Sequence, residues 1–186
     1  MLFRGKTASE FKTWEKAFRA KLNSLLGDST PPEKWDVVVE ETTELDDHTR
    51  HALLLKAHGV ASLPVYLLVP KGLLKGAEAP GILCVHGHGK YGNDPIVGRR
   101  DLPGVAEDID KMNYDYGRQF VRCGYVVVAP CMVPFGRRVD RKAYGGKDPC
   151  AVTFVRMQAL GKLSITENLR DLRWALSFLQ ANNSVD

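Results

Sequence analysis

The chain has 186 residues, 44% of them hydrophobic and 26% charged, with a net charge of +4. That length and composition suit one globular domain with a sizeable core, residues 1–186, rather than a disordered or fibrous protein. The basic pairs Arg99-Arg100, Arg137-Arg138 and Arg141-Lys142 are scattered among Pro, Gly and acidic residues, a solvated-surface pattern that gives no reason to expect a nucleic-acid partner.

An N-terminal helix is well marked. Thr7-Ala-Ser-Glu10 has capping-box spacing, and Phe11, Trp14, Phe18, Leu22 and Leu25 recur at steps of three and four before Gly27. Residues 1–30 are therefore read as a helical extension packed on the body of the domain. The Met1–Lys6 start has no apolar core of a signal peptide, and no segment approaches the ~18 apolar residues of a membrane span. A cytoplasmic protein with no membrane partner is the expectation.

Asp36–Leu45 and His51–Ala57, separated by the turn-rich Asp46-Asp47-His48-Thr49, read as an antiparallel hairpin. Pro64–Pro70 is a third short strand with prolines at its ends, where missing ladder donors do least harm. Gly81-Ile-Leu-Cys-Val then forms an apolar run with no polar alternation, the signature of a central strand covered on both faces. It ends abruptly in His86-Gly-His-Gly-Lys90. Tyr91–Asp110 is a long Gly-, Pro- and Asp-rich passage without periodicity, a length that usually marks function. A helix is expected over Met112–Cys123, stopped by Gly124, and a strand over Tyr125–Pro130. Cys131–Pro149 is irregular, and a helical stretch near Ala151–Leu160 ends at Gly161.

The last helix is the clearest. Ser164-Ile-Thr-Glu167 has capping-box spacing, and Ile165, Leu169, Leu172, Leu176 and Leu179 form one stripe widened by Trp174 and Phe178. The order of elements describes an α/β protein, a mixed sheet whose N-terminal antiparallel hairpin gives way to parallel strands.

Cys84, Cys123, Cys131 and Cys150 show no Cys-x-x-Cys pair and no zinc-ligand spacing. Cys84 reads as a small buried hydrophobe. The residues leave open whether Cys131 and Cys150 pair, although the missing export signal favours reduced thiols. Asp94, Asp101, Glu107, Asp108 and Asp110 match no metal loop and read as solvated carboxylates, so no metal is expected.

Four segments carry a family resemblance: Cys84-Val-His-Gly-His-Gly-Lys90, Tyr116–Pro130, Phe135-Gly-Arg-Arg138 and Glu167–Leu179. Together they resemble the α/β-hydrolase superfamily, and within it the bacterial dienelactone-hydrolase and acetyl-xylan-esterase-like group, from about Val37 onward. The resemblance implies an incomplete three-layer α/β-hydrolase-like fold that acts on a small-molecule ester without a cofactor. It places an oxyanion-hole donor at the backbone N–H of His88, with Gly87 and Gly89 shaping the turn. Tyr91, Phe135 and Arg137 become candidates for the pocket rim.

No Gly-x-Ser-x-Gly elbow occurs in the sequence, and no serine has its flanking glycines. The family's triad runs Ser, Asp or Glu, then His, so all three would lie beyond Asp186. The expectation is a truncated, N-terminal part of a serine esterase, inactive alone. The family's strand order also puts its next strand beside the Gly81 strand, so self-association through that exposed edge is expected.

Two other readings compete. Gly87-His-Gly89-Lys-Tyr-Gly92 matches the Gly-x-Gly-x-x-Gly fingerprint of an NAD-dependent oxidoreductase, which requires a helix to begin inside it. Gly92-Asn-Asp-Pro95 instead continues as a turn. The remaining reading is a non-catalytic fragment with an interaction or structural role.

Overall fold

The computed structural model describes residues 1–73, 77–182 and 184–185. Among the described residues there are five strands: β1 (Asp36–Glu44), β2 (His48–Lys56), β3 (Leu63–Pro70), β4 (Gly81–Leu83) and β5 (Val126–Pro130). The same residues form five α-helices: α1 (Ala8–Leu26), α2 (Val105–Met112), α3 (Tyr116–Arg122), α4 (Pro149–Ala159) and α5 (Ser164–Gln180). The sheet order is β1-β2-β3-β5-β4. The first three strands form an antiparallel meander, β3 pairs antiparallel with β5, and β5 pairs parallel with β4. This is the expected mixed α/β sheet, with the antiparallel portion extended by one strand.

Side-chain alternation along the strands separates two apolar layers. Leu53, Leu55, Leu63, Val65, Leu67, Val126 and Val128 point to one face and bury Trp174, Phe178 and Leu179 of α5. Ala52, Tyr66, Leu68, Val127 and Ala129 point to the other and meet Ile96, Val97 and Val121. All five residues of β5 are buried, as befits its place inside the sheet between β3 and β4.

The Gly81 run reads in sequence as a strand covered on both faces, with a free edge beside it. Among the described residues only β5 pairs along it, so it does lie at the sheet edge, but its cover is thinner than expected: Gly81 is exposed and Ile82 and Leu83 are partly buried. On its other side Val185 forms a single parallel bridge with Ala79, whose N–H donates to the Ser184 carbonyl at 3.0 Å.

Helix ends show where local rules hold. At α1 the Thr7 hydroxyl accepts the Glu10 N–H, and the Glu10 carboxylate accepts the Thr7 N–H at 2.9 Å. The box expected at Ser164 does not form. Ser164 is already inside α5, Leu163 occupies the cap position, and the Glu167 carboxylate is taken by Arg170 at 2.6 Å.

Helix α1 has no buried residue. Its attachment is at its C-terminal end, where the Thr166 hydroxyl donates to the Leu26 carbonyl and Arg173 donates to Ser29 Oγ at 2.7 Å. Its aromatic residues pack largely on one another and on Phe3 of the preceding segment: Phe3 and Phe11 lie against Trp14, and Trp14 stacks on Phe18 at 5.1 Å between ring centroids.

The passage expected to be one loop and one helix is more structured. Turns run from Lys90 to Gly98, α2 follows, and α3 begins at Tyr116. All four cysteines are free thiols; Cys84 is buried, and burial pushes its thiol up to about 11. Among the described residues no helix is long and apolar enough to cross a membrane.

Candidate functional site

In an open α/β sheet, the loops that leave the carboxyl ends of neighbouring parallel strands enclose a crevice suited to ligands. Here those loops are Cys84–Tyr91 after β4 and Cys131–Arg138 after β5.

The first loop is pinned up to Gly87. The Cys84 N–H donates to the Val128 carbonyl at 2.8 Å, extending the pairing one residue past β4. The Tyr116 hydroxyl donates to the Val85 carbonyl at 2.6 Å, and the Gly87 N–H donates to the Tyr114 hydroxyl at 2.7 Å.

His86 ties the two loops together. Its Nε2 accepts the Met132 N–H at 2.8 Å, which leaves the proton on Nδ1 to donate to the Gly87 carbonyl at 2.8 Å. Burial of the ring holds its pKa below the ordinary histidine value. His86 is therefore a neutral bracket. Its partner Met132 lies 46 residues further along the chain, so no local pattern announces it.

Just past Gly87 the backbone amides are free, while the Gly89 carbonyl accepts the Gly92 N–H at 3.4 Å. The N–H of His88 has no hydrogen-bond partner among the described residues, nor do those of Gly89 and Lys90. The His88 amide is thus outside any ladder, at the rim of the crevice. Neither Gly87 nor Gly89 uses a left-handed backbone. A Cβ on Gly87 would approach the Tyr114 hydroxyl to 3.1 Å, whereas one on Gly89 would meet nothing within 4 Å. Close approach, not turn geometry, is what Gly87 provides.

The second loop is held by α5. Asn168 grips Val133 from both sides: its Oδ1 accepts the Val133 N–H and its Nδ2 donates to the Val133 carbonyl, each at 3.1 Å. Arg138 donates to fully buried Asp171 at 2.5 Å and to the Cys131 carbonyl at 3.1 Å. Two of the sequence segments singled out above, Phe135–Arg138 and Glu167–Leu179, are joined by this ion pair. The loop so held presents Phe135 edge-on to both His86, at 5.4 Å, and His88, at 5.1 Å.

Two clefts meet at His88. One, of about 380 Å³, is lined by His88, Gly89, Lys90, Phe135, Arg141 and Lys147 among others. The other, of about 350 Å³, is lined by His88, Gly89, Asp108, Lys111, Met112 and Tyr114.

Of the three residues expected at the pocket rim, Phe135 is there. Arg137 is not: its guanidinium makes a two-pronged pair with Glu40 of β1, at 2.5 and 2.8 Å. Tyr91 lies under the Lys90 ammonium, 5.0 Å from ring centroid to nitrogen, and its hydroxyl packs on Gly104.

The dinucleotide fingerprint loses its structural context. Gly92, at φ +60°, packs on Gly136, at φ +50°: a Cβ on Gly92 would come within 3.0 Å of the Gly136 backbone. The next α-helix starts only at Val105, so no helix N-terminus meets the glycines. Three of the five acidic residues of the same passage are engaged by protein groups. Asp94 accepts the Tyr66 hydroxyl at 2.8 Å, Asp101 pairs with Arg99, and Asp110 pairs with Arg100. Among the described residues no group of three or more potential metal ligands gathers.

No protein-family model and no curated protein sequence matches the chain. Among solved structures it is similar to the crystal structure of a candidate acetyl xylan esterase from Bacteroides fragilis, with a TM-score of 0.75 and 18% identity. The match covers 100% of this chain and 47% of that one, so the chain spans about half the length of that structure. At this identity the likeness establishes the fold: a five-stranded mixed α/β sheet similar to that of an esterase.

Proposed function

We propose that this chain is the oxyanion-loop half of a serine carboxylic-ester hydrolase of the α/β-hydrolase superfamily, in its dienelactone-hydrolase and acetyl-xylan-esterase-like group. The observation that carries the reading is the unpartnered N–H of His88, on a loop fixed by four hydrogen-bonding groups up to Gly87 and open to two clefts. An oxyanion donor has to be rigid, unengaged and turned toward the reacting carbonyl, because it stabilises charge that appears only in the transition state.

In this reading the carbonyl oxygen of an ester sits within about 2.7–3.1 Å of the His88 N–H as it becomes a tetrahedral oxyanion. Phe135 and the His88 ring wall the acyl group. The attacking serine comes from a strand added on the free side of β4, where Ser184 and Val185 already run parallel to Ala79. The serine attacks the carbonyl carbon, its proton passes to a histidine base, and the alcohol leaves from the collapsing adduct. Water then repeats the sequence on the acyl-serine. The sequence given encodes no serine elbow, so the 186 residues alone turn over no ester. A fluorophosphonate probe and p-nitrophenyl acetate test this: no serine label and no turnover are expected, and stoichiometric labelling of a serine overturns the reading.

A further inference from the structure

The cleft of about 380 Å³ beside His88 carries an unusual charge balance. Its lining includes the cations Lys90, Arg141 and Lys147 and one carboxylate, Asp148. Asp148 is engaged as the N-cap of α4, its Oδ1 accepting the Cys150 N–H at 2.7 Å and facing the Ala151 N–H. None of the three cations has a carboxylate partner among the described residues. Arg141 donates only to the Lys90 carbonyl, at 3.4 Å, and the Lys90 ammonium rests over the Tyr91 ring.

Seven other arginines, Arg99, Arg100, Arg118, Arg122, Arg137, Arg138 and Arg170, each sit against an Asp or Glu. What sets the cleft apart is that three cations without such a partner, Lys90, Arg141 and Lys147, gather in one concave place, next to the free amides of His88, Gly89 and Lys90. A concave wall focuses that field, and an arginine fork adds two-pronged recognition of a planar oxyanion group.

We infer that this cleft binds the anionic group of the substrate, so that the preferred ester is one carried on an acidic scaffold, a carboxylate- or phosphate-bearing sugar or acid. The inference rests on the ester-hydrolase reading for the word substrate, but the binding itself does not. The anion lies across Lys90, Arg141 and Lys147, and this anchors the scissile ester at His88, one cleft wall away. Lys90 and Arg141 act as positioning residues. They touch the anion and not the reacting carbonyl.

The test is calorimetric titration of the 186-residue chain at low ionic strength with D-glucuronate, D-glucose 6-phosphate and D-glucose. Saturable binding of at least one anion, absent for glucose and weakened at least tenfold by 0.5 M sodium chloride, is expected. Which anion binds tighter decides between carboxylate and phosphate. Arg141→Glu and Lys147→Glu, both on exposed side chains, should each weaken that binding at least tenfold. Lys16→Glu on α1, with the same change in net charge, should leave it within twofold. Equal binding of glucose and the anions, no binding of either anion, or equal losses from Lys16→Glu and Arg141→Glu would overturn the inference. Anion binding together with stoichiometric serine labelling would leave this inference standing and remove the reading of the chain as a half without its nucleophile.

Discussion

Replacing Asp171 with Asn removes one charge from the most deeply buried ion pair in the described structure. The Asp171 side chain is fully buried and that of Arg138 is 7% exposed. Arg170, the second guanidinium on Asp171, at 3.2 Å, keeps Glu167 at 2.6 Å after the change. Arg138 keeps only the Cys131 carbonyl. A buried charge stripped of its partner costs about 3–5 kcal/mol, a large part of the roughly 5–15 kcal/mol that holds a domain folded. Pairing Asp171→Leu with Arg138→Met replaces both charges by apolar groups and should recover most of that loss, because no stranded charge remains. Urea unfolding followed by tryptophan fluorescence reads this directly, since buried Trp174 is one helical turn from Asp171. A loss below about 1 kcal/mol for Asp171→Asn, or strict additivity in the cycle of Asp171→Leu, Arg138→Met and the double variant, would refute the view that this pair fixes the Phe135 loop.

The remaining expectations concern the bracket, the loop contact and the sheet edge. His86→Ala strands the Met132 N–H and the Gly87 carbonyl and should cost about 2–4 kcal/mol by urea unfolding; an unchanged midpoint would remove His86 from its bracket role. Burial holds the folded-state pKa of His86, and of His48, below the ordinary 6.5, so the unfolded chain takes up protons first as pH falls. Stability should therefore be full above about pH 6.5 and decline below it, by up to about 1.4 kcal/mol per pH unit for each histidine, and His86→Gln should flatten that slope. A profile flat from pH 7 to 5 contradicts this. Gly92→Ala combines a left-handed backbone with a 3.0 Å approach to Gly136 and should destabilise by about 2 kcal/mol or more, measured as a fall in Tm. Along the free side of β4 the chain should self-associate at tens of micromolar; a clean monomer by light scattering argues against this.

Local sequence rules found the hairpin, the strands and the α1 cap because each depends on neighbours within a few residues, although β2 begins at His48, inside the expected turn, and β4 stops at Leu83. They failed where another group competes, near or far. The Ser164–Glu167 spacing is a valid box, but Arg170, three residues further along α5, takes the carboxylate. Arg137 looked free for a pocket, yet its partner Glu40 is 97 residues away. Helix α2 escaped notice because eight residues with two buried positions, Val105 and Ile109, leave too short a stripe to register as a period. The site was half legible. The apolar run into His86-Gly-His-Gly identified the loop, while its brackets, Tyr114, Tyr116, Asn168 and Asp171, are assembled only by the sheet order.

The most direct check on the account is an amide-resolved NMR titration of the chain with methylphosphonate, a stable tetrahedral oxyanion. The His88 N–H should exchange rapidly with solvent in the free protein and move downfield saturably on addition of the anion. The Cys84 and Gly87 amides, already bonded to Val128 and Tyr114, should stay protected and unmoved. A His88 amide that is slow to exchange, or that ignores the anion while other amides respond, would contradict the claim that it is held ready for developing negative charge.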